Sequence, residues 1–113
     1  MATLVDTGVI VIVEDPFIRR YLRSILTRAG LRTMEAEECA AVDLVRSGEV
    51  RVAVLITNDP RAFREFAADC ALIYTSSSPE STMVEGFERC RILQKPFHAD
   101  ELLKALREVG VIP

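Results

Sequence analysis

Apolar positions along the chain switch repeatedly between two spacings, and each switch marks an element. Residues 8–13 carry Val9, Ile10, Val11, Ile12 and Val13 in an unbroken row, the pattern of a short strand buried on both faces, which ends at Glu14. From Pro16 the spacing becomes helical. Phe17, Ile18, Tyr21, Leu22, Ile25, Leu26 and Ala29 share one face, Arg19, Arg20, Arg23 and Arg28 take the other, and Gly30 closes the turn. A weaker strand over 31–34 follows, then a helix over 38–46 with Ala41, Val42 and Val45 inward and Gly48 as its stop. The clearest strand covers 50–57. After it, Asp59 reads as a helix N-cap and Pro60 as the first helical residue of a short helix that buries Ala62, Phe63, Phe66 and Ala67. Residues 71–75 form a fourth strand. Ser78 and Pro79 repeat the cap-and-proline pattern ahead of a helix with Met83, Val84 and Phe87 inward. A fifth strand over 91–94 leads to a helix over 99–109, which buries Leu102, Leu103, Leu106 and Val109 before Gly110.

Five strand–helix units in series predict a parallel sheet with helices on both faces, because each right-handed crossover lays its helix on one face or the other. Periodicity does not fix the order of the strands. Sheets of this kind gather functional groups at the carboxyl ends of their strands, beside the point where the order reverses. Those ends carry Glu14 and Asp15, then Thr57, Asn58 and Asp59, then Thr75 and Ser76, then Lys95. Adjacent carboxylates, an amide, a hydroxyl and an ammonium therefore converge on one pocket.

Composition narrows the function classes. With 113 residues, half of them apolar, the chain reads as one domain with one core's worth of material. A net charge of −3 with both signs scattered along the sequence argues against nucleic acid or a membrane surface as the main partner. The N-terminus, residues 1–13, has no cationic leader, and its apolar run is too short for a signal or a span, so a soluble, cytoplasmic protein is expected. Cys39, Cys70 and Cys90 are odd in number and far apart, which predicts free buried thiols rather than a zinc site or a disulfide. His98, the single histidine, falls where the last helix begins and reads as a surface or cap residue.

The acidic pair after the first strand, a hydroxyl residue ending the fourth and Lys95-Pro96-Phe97 after the fifth, in that order, resemble the receiver domain of bacterial two-component response regulators. Residues 9–26 also resemble that family's opening, an acidic pair closely followed by proline and a first helix bearing Ile-Arg. The likeness covers essentially the whole chain, residues 1–113. It implies a three-layer flavodoxin-like (βα)5 sandwich with a five-stranded parallel sheet, the third helix shortened. In that family a carboxylate at the end of strand three attacks a phosphoryl donor, the acidic pair holds a magnesium ion, and the hydroxyl and the lysine stabilise the added charge. The resemblance thus makes Glu14 and Asp15 the metal acids, Thr75 the hydroxyl, Lys95 the ammonium, and Lys95-Pro96 a cis peptide.

The nucleophile does not carry over. The family's strand three runs apolar, often to a threonine, and then reaches the aspartate; here Val54-Leu55-Ile56-Thr57 is followed by Asn58. A register anchored on Pro60 would instead put Ile56 in the site, again without a carboxylate. An amide is a neutral, poor nucleophile and forms no acyl phosphate. Asp59 is the substitute at hand, but an aspartate before proline is also a standard helix cap. Three further departures agree. Only sixteen residues separate Asn58 from Thr75, so the loop that walls the family's pocket is missing. The first loop is trimmed by Pro16, and Ile92 stands where the family often carries a switching aromatic.

With Asn58 in place of an aspartate, the set Glu14, Asp15, Asn58 and Lys95 is formally −1 instead of −2, so less repulsion awaits relief by a cation and weak or absent magnesium binding is expected. Lys95 then pairs with Glu14 or Asp15. The favoured reading is a degenerate, phosphorylation-independent receiver with no enzymatic activity. It would bind a protein partner, a histidine kinase or another signalling protein, through its last helices and strands, without contacting nucleic acid or membrane; a homodimer stays open. A working receiver that uses Asp59 is the second reading. An unrelated flavodoxin-like binding protein or enzyme is the third, opposed by the absence of a Gly-rich phosphate loop and by loops too short for a substrate pocket.

Overall fold

The computed structural model describes residues 8–113; the reading of the N-terminus over residues 1–7 lies outside them. Strands β1 (Val9–Val13), β2 (Thr33–Glu35), β3 (Val52–Thr57), β4 (Ala71–Ser76) and β5 (Cys90–Gln94) pair in parallel in the order β2-β1-β3-β4-β5. Helices α1 (Pro16–Arg28), α2 (Glu38–Ser47) and α3 (Ala99–Glu108) alternate with them. Because β2 and β3 flank β1 on opposite sides, the crossovers on either side of β1 go to opposite faces, and the switch point lies between β1 and β3.

Alternation along the strands divides the apolar residues into two cores. Ile10, Ile12, Val54, Ile56, Ala71, Ile73 and Leu93 face α1 and α3, meeting Leu22, Leu26, Leu102 and Leu106. Val9, Val11, Val13, Leu55, Leu72 and Tyr74 face the other way, onto Ala41 of α2 and onto Phe63, Phe66 and Phe87. Leu22, Leu26, Leu102 and Leu106 are fully buried, and each such side chain contributes roughly 1.5–3 kcal/mol relative to exposure.

Two helices expected from the sequence take a tighter form. The segment after β3 is a 3₁₀ helix, Pro60–Phe66, entered as expected through Asp59, whose side chain accepts a hydrogen bond from the Arg61 N–H. The β3–β4 connection is too short for α-helical turns with a return loop, and 3₁₀ geometry gains more length per residue. The segment before β5 is reduced to one 3₁₀ turn, Ser81–Val84, preceded by Glu80. Ser78 and Pro79 therefore do not start a helix; the Ser78 N–H donates to Ser76 Oγ instead (3.0 Å), a local serine turn. Ser77, Ser78, Pro79, Ser81, Thr82 and Gly86 supply too little helix propensity for more. Phe87 is buried as expected, while Met83 and Val84 are only partly so. Phe17, expected to face inward, is 80% exposed at the first turn of α1. Of the three free thiols only Cys70 is buried, which raises its pKa; Cys39 is exposed on α2 and Cys90 is half-buried.

Gly8 and Gly30 offer a controlled comparison, since both have φ near +80°. A Cβ at Gly30 meets nothing within 4 Å, whereas at Gly8 it would lie 2.8 Å from the Arg51 carbonyl oxygen. Gly30→Ala should lose about 1–2 kcal/mol for left-handed backbone alone. Gly8→Ala should lose clearly more, as read from urea unfolding midpoints at equal m-values.

Candidate functional site

The carboxyl ends of β1, β4 and β5 deliver three polar groups into direct contact. Glu14, the residue after β1, has a fully buried side chain, and Thr75 at the end of β4 is equally buried. Thr75 Oγ1 donates a hydrogen bond to Glu14 Oε2. Lys95, immediately after β5, is held by its backbone N–H on the Ser76 carbonyl (2.8 Å) and places Nζ 2.9 Å from Glu14 Oε2 and 3.1 Å from Oε1. The Asp15 N–H lies 3.3 Å from Oε1 as a further, weaker donor. The peptide Lys95-Pro96 is cis. Charge-assisted donors on both oxygens are what a buried carboxylate requires.

The remaining candidates stand apart from this contact. Asp15 is exposed and precedes α1 without capping it through its side chain. Asn58, after β3, is exposed too. Both line a hollow of about 150 Å³ with Glu14, Glu37, Glu38 and Thr57. Registers Val13↔Thr57 and Ile12↔Ile56 put the exit of β3 level with the exit of β1, and Ile56 itself is wholly buried in the core. Asp59 is engaged elsewhere: Oδ1 accepts from Arg61 Nε (2.8 Å) and Oδ2 from Arg61 Nη2 (2.7 Å), while its own N–H donates to Thr57 Oγ1 (3.1 Å). The hydrogen bond from Arg61 holds the Asp59 carboxyl below the ordinary aspartate range. His98 is exposed ahead of α3, and its backbone N–H donates to Glu101 Oε1 (3.1 Å), closing the first turn.

One surface was not anticipated from the pattern. Phe17, Ile18, Tyr21, Pro96 and Phe97, together with Lys95 and His98, line a largely apolar groove of about 590 Å³. Tyr21 is 41% exposed, and its hydroxyl donates to the Phe97 carbonyl (3.1 Å). The signal was present in Phe17 and Tyr21, spaced four apart beside the Arg20 face, but helical spacing alone does not say where a buried stripe stops.

With a parallel sheet in this order and polar groups at its strand exits, the fold is that of response-regulator receiver domains. It is similar to the signal receiver domain of an HD domain-containing protein from Pseudomonas fluorescens Pf-5, at TM-score 0.79 and 22% identity over 96% of this chain and 90% of that one. The response regulator receiver protein from Sinorhizobium medicae WSM419 superposes with TM-score 0.72 at 18% identity, covering 89% of this chain and 91% of that one. The receiver domain of a sensor histidine kinase from Pseudomonas aeruginosa PAO1, with a magnesium ion coordinated in its active site cleft, gives TM-score 0.73 at 19% identity over 91% and 98% of the two chains. No family model matches the sequence, and no curated protein matches it. Among the described residues no helix is long and apolar enough to cross a membrane.

The Asp59–Arg61 pair has a pH signature. Because the folded pKa lies below the value of 3.8, the ionised carboxylate contributes stability that is fully present above that value and is lost as pH falls through the folded pKa. The stability difference between the wild type and Asp59→Asn should therefore hold above about pH 4 and shrink as pH falls below it, as followed by urea unfolding.

Proposed function

We propose that the chain is a degenerate receiver domain, a non-catalytic module that binds a signalling partner without being phosphorylated. The observation that carries this reading is the contact just described. The hydroxyl and the ammonium that a receiver would direct at a phosphoryl group are both spent on the Glu14 carboxylate. Asn58, at the exit of β3, is the position we assign to the acceptor, and its amide supplies no nucleophile. Asp59 is a poor replacement, since Arg61 grips both of its carboxylate oxygens and Asp59 caps the following 3₁₀ helix. A protein partner, a histidine kinase or another signalling protein, fits a cytoplasmic domain of net charge −3. Incubation with acetyl phosphate and magnesium should leave the intact mass of the wild type unchanged; a stable gain of one phosphoryl group would refute the proposal, and peptide mapping would locate it.

The receiver from Pseudomonas aeruginosa holds magnesium in its cleft. The donor set of this chain fits that ion poorly. Magnesium asks for near-octahedral oxygen ligation built on one or two carboxylates with free lone pairs. Here Glu14 already accepts from Thr75 and Lys95, which leaves Asp15 as the acid without such partners at the strand exits. Titration calorimetry with magnesium chloride should show weak or no heat of binding, and a tight saturable isotherm would contradict this account of the site.

A further inference from the structure

Resting on the reading of the chain as an unphosphorylated receiver, we infer that Thr75 and Lys95 form an oxyanion seat whose resident ligand is the chain's own Glu14, and that Glu14 thereby excludes external phosphate. The two donors come from adjacent strands, β4 and β5, and both end on the same carboxylate. A hydroxyl and an ammonium converging on one point bind an oxyanion, because each donates and the ammonium adds a full positive charge.

Glu14 reaches this point from a strand that is not a neighbour of β4. In the sheet β3 lies between β1 and β4, so the Glu14–Thr75 hydrogen bond passes across the end of β3. The glutamate side chain, one methylene longer than aspartate, gives the reach. Glu14 is sealed there. Its side chain is 0% exposed and that of Lys95 19%, and no buried side-chain polar atom among the described residues lacks a partner. An arriving phosphate would have to expel a buried carboxylate from its two strongest donors or sit beside it as a second anion. Both are unfavourable.

The same geometry bears on Asn58. An aspartate introduced there would add a further carboxylate to a hollow that Glu14, Asp15, Glu37 and Glu38 already line, while the donors that stabilise a phosphoryl group stay engaged. Restoring the acceptor alone does not restore the site.

Thermal unfolding in sodium phosphate, against sodium chloride of equal ionic strength, tests the seat directly. The wild type and Glu14→Gln, whose side chain still fills the space, should show no phosphate-specific change. Glu14→Ala should gain a saturable rise in midpoint, on the order of 5 °C once phosphate exceeds its dissociation constant about tenfold. Adding Thr75→Val to Glu14→Ala should remove that rise. If Glu14→Ala does not fold, Glu14→Ser, which also removes the carboxylate, serves in its place. A phosphate response in the wild type, or none in the folded opening variant, overturns the inference. Acetyl phosphate with Asn58→Asp supplies the second arm. That single variant should stay unmodified, and its modification would overturn the internal-ligand inference while leaving the proposed function of the wild type standing. Modification of the wild type itself would instead overturn the proposed function.

Discussion

Everything in this molecule depends on a parallel sheet that must be covered on both faces. Parallel strands need long crossovers, and those crossovers bring the helices that bury the faces. One row of strand side chains packs on α1 and α3, the other on α2 and the 3₁₀ segments. The same constraint fixes where polar groups are tolerated. Between the two cores there is no room for an unpaired charge, so polar side chains collect where strands end, and there each must find a partner.

The two faces are not covered equally well. On the side of α1 and α3 the helices are full-length and amphipathic, and fully buried leucines anchor them. On the other side the crossovers around β4 are short, and single aromatic residues do the covering: Phe63 and Phe66 from Pro60–Phe66, and Phe87 beyond Ser81–Val84. Large rings compensate for missing helical turns, because one phenylalanine covers an area that would otherwise take two smaller residues. Ile92, 40% exposed on the edge strand β5, lies where this thinner covering gives out.

The sequence made the layering legible because its two periods are unambiguous over 8–29 and over 99–109. It was less informative wherever length, rather than pattern, decided the outcome. In 60–66 the apolar positions are right, and the type of helix follows from how few residues must span the gap. In 78–87 the Ser78-Pro79 pair imitates a helix start, and only the weak propensity of the residues after it shows that no α-helix can follow. At the site, spacing placed Glu14, Thr75 and Lys95 at strand ends. It could not tell that the carboxylate would reach past β3 to a hydroxyl two strands away, since that depends on side-chain length and strand order together.

The Glu14 bridge also has a bearing on how such a chain can change over generations. If Glu14 is the resident ligand of Thr75 and Lys95, a carboxylate introduced at position 58 would meet repulsion and gain no donors. Withdrawing Glu14 first is no easier, because it leaves a half-buried ammonium without its counter-charge. Each substitution is unfavourable until the other is present. If Glu14 is the resident ligand of the seat, the bridge couples positions 14 and 58, so that a change at either takes effect only with the other.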